Sequence, residues 1–89
     1  MKTEHIKELN RVLSKLDNEG LKRIANSIAN AKRVYIAGNG GAMALATHFA
    51  QDLVKFAGVR AFAFDNISNL TAYANDNGYS NVFSRQIEI

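Results

Sequence analysis

The run Val34-Tyr35-Ile36-Ala37 is short, apolar and rich in β-branched and aromatic side chains; it breaks at Gly38-Asn39-Gly40-Gly41 and resumes as an alanine-rich stretch that carries His48. The first composition specifies a buried strand and the second a helix. A strand must therefore feed a helix through a glycine loop, and this junction constrains the fold more than any other part of the chain. The first turn of a helix has unpaired N–H groups and a partial positive charge, so an anion or a polarised oxygen is stabilised there. Glycines let a ligand approach the backbone closely. The pattern is neither of two familiar ones: Met43 stands where a dinucleotide fingerprint needs its third glycine, and the Gly-Lys-Ser/Thr of a P-loop is absent.

Beyond the loop, Leu45, Phe49, Leu53 and Phe56 line one helix face, and Ala42, Ala46, Ala50, Val54 and Ala57 line its neighbour. Such a helix is apolar over most of its circumference, which predicts burial against more than one element. Gly58 ends it, and Arg60-Ala61-Phe62-Ala63-Phe64 follows as a second strand. A strand-helix-strand unit implies a parallel pair with a right-handed crossover.

Two helices are expected upstream. Ile6, Leu9, Val12, Leu13 and Leu16 form one apolar stripe; after a cap at Asp17, the spacing of Leu21, Ile24, Ala25 and Ile28 repeats it up to the basic pair Lys32-Arg33. Downstream, Asp65, Asn66 and Ser68 supply cap chemistry for a helix through about residue 74, broken by Asn75-Asp76-Asn77-Gly78. Ser80 starts a further segment with Val82, Phe83 and Ile87 at helical spacing. The organisation is thus a helical segment over residues 1–33 and a strand-loop-helix-strand-helix unit over 34–89. Parallel sheets are buried on both faces, and two strands with apolar helices do not complete one. The chain reads as the front part of an α/β domain that further residues or a partner chain would complete.

Composition removes several classes of function. There is no cysteine among the 89 residues, so neither a disulfide framework nor a thiolate nucleophile is available, and any transition-metal site must use His, carboxylate or amide ligands. The imidazoles are His5 and His48. The opening Met1-Lys2-Thr3-Glu4-His5 lacks a signal-peptide core and no run is long enough to span a bilayer, which predicts a cytoplasmic chain with no membrane partner. The net charge of +3 arises in residues 1–33, which hold eight Lys/Arg against four Asp/Glu, while residues 34–89 hold three against four. Basic residues there alternate with Glu4, Glu8, Asp17 and Glu19 and have no aromatic stacking partners nearby, so a solvated helix face is expected rather than a nucleic-acid site.

His48 and Asp52 lie four apart on the central helix and share a face. The spacing suits a metal-ligand or acid-base pair and equally a surface hydrogen bond. Polar groups on an apolar helix are costly unless paired or functional, and Thr47, His48, Gln51 and Asp52 cluster on its remaining side. Asn75-Asp76 forms a second polar cluster after the second strand, and ligands gather beyond the carboxyl ends of strands in open parallel sheets. A plain turn is the other reading of Asn75-Asp76.

These residues resemble a known family. Gly38-Asn39-Gly40-Gly41 leading to His48-Phe49-Ala50-Gln51-Asp52-Leu53, then Leu70-Thr71-Ala72-Tyr73-Ala74-Asn75-Asp76-Asn77-Gly78-Tyr79 and Val82-Phe83-Ser84-Arg85-Gln86, is similar to the sugar isomerase (SIS) domain, and within it to the phosphoheptose isomerases. The resemblance implies a three-layer α/β/α, flavodoxin-like sandwich on a five-stranded parallel sheet, an N-terminal helical segment that helps assemble a homotetramer, and a domain about twice as long as this chain. It implies conversion of sedoheptulose 7-phosphate to a heptose 7-phosphate through an enediol, feeding lipopolysaccharide or capsule heptose. By position, Asn39, Gly40, Gly41, Asn75 and Asp76 would contact the phosphorylated sugar. His48 would be a zinc ligand, and Asp52 would stand in place of a glutamate that is metal ligand, sugar contact and base. The remaining zinc ligands and the phosphate loop would lie past residue 89. The chain departs from the family pattern at Ala42 for serine, Leu45 for aspartate, Thr47 for glutamine and Asp52 for glutamate. The losses at Ala42 and Leu45 point to an alternative within the same family, a non-catalytic module that binds a phosphosugar or a protein, of the replication-initiator-associating type. A third reading is an assembly piece whose Ile6, Leu9, Leu13 and Leu16 pack across subunits.

Overall fold

A computed structural model describes residues 2–88. They form five helices, one short 3-10 turn and a two-stranded parallel sheet, an α/β arrangement that divides into the units Met1–Asn30 and Ala31–Ile89.

The first unit contains α1 (Lys2–Ser14) and α2 (Asn18–Asn30). The Asp17 carboxylate accepts the Glu19 N–H at 3.1 Å, and the Asp17 carbonyl accepts the Leu21 N–H at 3.0 Å. The expected cap is therefore present, and it satisfies donors that a helix start leaves open. On α1, Arg11 pairs with Glu8 one turn away and holds that carboxyl below its ordinary range. The second stripe lies on α2 as expected and the first lies on α1 except for Leu16, which follows the helix end, and neither helix contains a buried residue.

In the second unit, β1 (Val34–Ile36) pairs in parallel with β2 (Ala61–Ala63), in the register Val34 to Ala61, Tyr35 to Phe62 and Ile36 to Ala63. Each strand is shorter than its apolar run. Between them α3 (Gly41–Ala57) packs mainly on β2 and less on β1. Gly58 ends α3 at φ 65°, and the Val59 N–H reaches back to the Leu53 carbonyl at 3.0 Å.

The burial of α3 differs from expectation. Its buried residues are Ala46 and Ala50, and the buried strand residue is Ala61; small side chains thus let helix and strand approach closely. Leu45 and Phe56 are 73% and 76% exposed, and Phe49 and Val54 are also exposed. The reason is geometric: a two-stranded sheet offers one narrow face, which covers one stripe of the helix and leaves the adjacent apolar stripe uncovered among the described residues.

The last third also differs. The Asn66 side chain accepts the Asn69 N–H at 2.9 Å, so the cap lies where cap chemistry was expected. However, α4 (Ile67–Asn77) runs through Asn75 and Asp76, which occupy its last turn. The break falls at Gly78, and a 3-10 turn (Tyr79–Asn81) then leads into α5 (Val82–Ile87). Alternation along β2 sends Phe62 to the side opposite Ala61 and Ala63. Tyr35 stacks with Phe62 and Phe64 at centroid distances of 5.7 Å each, and Phe64 meets Phe83 of α5 at 5.9 Å. Val82, 1% exposed, is the best-buried large side chain. Val82→Ala is expected to cost about 2 kcal/mol, two lost methyl groups with partial collapse of the cavity, read as a lower urea midpoint at unchanged slope.

Candidate functional site

Parallel pairing puts the carboxyl ends of β1 and β2 on one edge, so the glycine loop and the segment after β2 emerge side by side. One contact joins that segment to α3 and a second joins it to the loop. The Thr47 hydroxyl is 3.3 Å from an Asp65 carboxylate oxygen while it also donates to the Met43 carbonyl at 3.0 Å. The Tyr79 hydroxyl donates to Asn39 Oδ1 at 2.5 Å, across 40 residues of chain.

The loop is built by two glycines that no other residue could replace without strain. A Cβ on Gly38 would lie 2.5 Å from the Ala42 carbonyl oxygen and 2.9 Å from the Met43 nitrogen, so the loop passes directly over the first turn of α3. Gly40, at φ 57° and ψ −124°, takes a backbone conformation that side chains oppose. Gly41 is already the first residue of α3, with open space where a Cβ would stand. The loop largely caps its own helix: the Ala42 N–H bonds to the Asn39 carbonyl and the Met43 N–H to the Gly40 carbonyl, both at 3.0 Å. Those two donors are spent inside the loop, which makes it a helix-starting turn more than an anion cradle.

His48 and Asp52 share a face of α3, with His48 Nε2 3.3 Å from Asp52 Oδ2. Both side chains are substantially exposed, at 71% and 45%. A shallow concavity of about 480 Å³ runs along the same helix and is lined by Gly40, Met43, Ala44, Thr47, His48 and Gln51. It brings Thr47, His48 and Gln51 together with Gly40 of the glycine loop, whereas Asp52 is not among its lining residues. Asn75 and Asp76 are exposed and engaged with each other, the Asn75 amide donating to Asp76 Oδ1 at 3.2 Å, and they do not line this concavity. Their connection to the loop runs through Tyr79, three residues beyond Asp76.

Tyr79 is the site residue that sequence reasoning passed over. Its signal was its place after Gly78 at the end of the second family-like motif, and nothing in the spacing discloses a partner 40 positions earlier. Asp65 was read as cap chemistry, whereas the cap bond is made by Asn66 and Asp65 faces Thr47.

The donor set bears on the expected zinc. An imidazole nitrogen and a carboxylate oxygen suit zinc, and tetrahedral bonds of about 2.0–2.1 Å separate two ligand atoms by roughly 3.3 Å, which is the spacing of the His48–Asp52 pair. The donor types suit zinc, while the same 3.3 Å is also the distance of an ordinary ion pair. Among the described residues no cluster of three or more His, Cys, Asp or Glu side chains could hold a metal, and no helix is long and apolar enough to cross a membrane.

No family model matches the chain. Curated proteins do. It is 41% identical over 71 residues to the phosphoheptose isomerase of Geotalea daltonii, covering 73% of this chain and 37% of that protein. The phosphoheptose isomerase of Campylobacter concisus is 43% identical over 72 residues, covering 73% and 38%. That of Helicobacter pylori strain P12 is 33% identical over 91 aligned positions, covering 96% and 47%. The chain therefore spans between about a third and a half of the length of these relatives.

Gly38→Ala and Gly40→Ala should each destabilise the protein by about 1–3 kcal/mol, whereas Gly41→Ala should leave the urea midpoint unchanged or raised. Equal losses at all three positions would contradict this account of the loop.

Proposed function

Because the chain belongs to the phosphoheptose isomerase family over the residues it shares with these proteins, we propose that the whole protein is a phosphosugar isomerase. It converts sedoheptulose 7-phosphate to D-glycero-D-manno-heptose 7-phosphate, for lipopolysaccharide or capsule heptose, as a cytoplasmic homo-oligomer of the tetrameric kind. The observation that supports the proposal is the His48–Asp52 pair, 3.3 Å apart on α3, of which His48 lines the concavity that reaches Gly40. The similar proteins carry the name of an isomerase, which favours the enzyme over a non-catalytic module.

The reaction moves one proton between neighbouring carbons. The Asp52 carboxylate takes a proton from C1 of the open-chain ketose. The electron pair of the broken C–H bond forms a C1–C2 double bond, and the carbonyl π pair moves to the C2 oxygen, which gains a proton to give the enediol. Return of the proton to C2, with loss of a proton from the C1 oxygen, leaves the aldehyde at C1. A divalent metal held by His48 and Asp52 with others would polarise the carbonyl and stabilise the charge on its oxygen. Asn39, Gly40 and Gly41 contact the sugar from the loop, and Asn75 and Asp76 do so from the end of α4. The Ala42 and Met43 N–H groups are already bonded to the loop carbonyls of Asn39 and Gly40, so they are not the donors that hold the phosphate.

The shortened carboxylate at Asp52 is a departure with a physical cost, because reach changes by about one bond length and placement within about 1 Å governs proton transfer. In the complete protein, Asp52→Asn is expected to lower kcat/KM by about 10²- to 10⁴-fold, the weight of a general base, with an unchanged circular dichroism spectrum. His48→Gln should lower bound zinc by elemental analysis. A complete protein that carries no metal and leaves sedoheptulose 7-phosphate unconverted is not this enzyme.

A further inference from the structure

We propose that Tyr79 is a positioning residue: its hydroxyl fixes the Asn39 carboxamide so that the glycine loop presents the amide NH₂, a hydrogen-bond donor, to an acceptor oxygen of the sugar. This rests on the phosphosugar reading of the site and adds a residue and a polarity to it.

Three observations support it. The Asn39 backbone is held from one side, because its carbonyl accepts the Ala42 N–H at 3.0 Å as α3 begins. Its side chain is held from the other, by the Tyr79 hydroxyl at 2.5 Å on Oδ1. Tyr79 is itself held: it opens the 3-10 turn in which the Asn81 N–H bonds to the Gly78 carbonyl at 3.0 Å and the Asn81 side chain bonds to the Asn77 carbonyl at 2.7 Å. The Val82 N–H bonds to the Tyr79 carbonyl, and Val82 is the best-buried large residue of the fold. A rigid turn thus aims a hydroxyl at one end of the amide.

The chemistry follows from the inventory of a carboxamide, which has one oxygen that accepts and one nitrogen that donates twice. Free in solvent, Asn39 could turn either end to a ligand. With Oδ1 engaged by a donor, the amide has its NH₂ to offer; a flip would turn that NH₂ to the Tyr79 hydroxyl, which can also accept, but the 2.5 Å separation lies in the O–H···O range and below that of N–H···O. The loop therefore discriminates by polarity, favouring a sugar oxygen that accepts, such as a carbonyl or a hydroxyl whose proton points elsewhere. Tyr79 is 55% exposed and packs little, so removal of its hydroxyl alters the bond far more than the fold.

The test compares the complete protein with its Tyr79→Phe variant by two independent measurements. The first is the Asn39 side-chain NH₂ resonance pair in a ¹H–¹⁵N spectrum without ligand, assigned by its loss in Asn39→Asp. The second is the steady-state kinetics with sedoheptulose 7-phosphate. The expected results are a shifted Asn39 pair in Tyr79→Phe and a KM raised by roughly two- to tenfold, the weight of one net hydrogen bond, with kcat within about twofold. An unmoved amide pair, or an unchanged KM beside a moved pair, overturns the proposal. If the wild-type protein does not turn over this sugar, the isomerase reading falls and the recognition role of Tyr79 falls with it. The amide spectrum then still shows whether the hydroxyl holds Asn39.

Discussion

Three parallel residue pairs, Val34 with Ala61, Tyr35 with Phe62 and Ile36 with Ala63, determine where everything else in residues 31–88 can lie. Parallel pairing demands a crossover, and α3 is that crossover. It also brings two carboxyl ends to one edge, which is why Asn39 of the loop can meet Tyr79 and Thr47 of α3 can meet Asp65. Antiparallel pairing would have sent these segments to opposite ends of the sheet. The candidate site thus depends on strand direction before it depends on any single side chain.

The pairing is small, and its packing follows from its size. Alanines at 46, 50 and 61 form the buried part of the unit, and they suit a close approach of helix to strand. On the other side the aromatic series Tyr35, Phe62, Phe64 and Phe83 links strands to α5, with centroid separations suited to aromatic contact. Tyr35 and Phe62 nevertheless remain about half exposed, as do several large residues of α3. What stabilises the described arrangement is close packing of small residues and aromatic edges, together with caps at Asp17, Asn66 and Gly58.

Function follows from placement rather than burial. The His48–Asp52 pair is local, made by one helical turn, and would exist on any α3. What distinguishes it is the neighbourhood: a concavity continuous with Gly40 and a loop whose asparagine is gripped from a distant turn. Both side chains are widely exposed among the described residues.

Element identity was legible from local rules: two amphipathic helices, a strand, a glycine loop, an apolar helix closed by Gly58, a second strand and a capped helix all follow from periodicity and cap chemistry. The pairing of His48 with Asp52 was legible for the same reason, since i, i+4 geometry is a property of the helix itself. Three things were not. The end of α4 was misplaced because Asn75 and Asp76 have turn propensity but remain helical up to Gly78, where the backbone leaves the helix at φ 86°. The exposure of Leu45, Phe49 and Phe56 could not be read from their hydrophobicity, because burial depends on what lies opposite. The Tyr79–Asn39 bond was invisible because it spans 40 residues. Sequence alone determined the elements, their order and the short-range pairs, which depend on neighbours within about one helical turn. Only the tertiary structure decided which loop ends meet, because contact between distant residues is set by strand direction and register rather than by any local pattern.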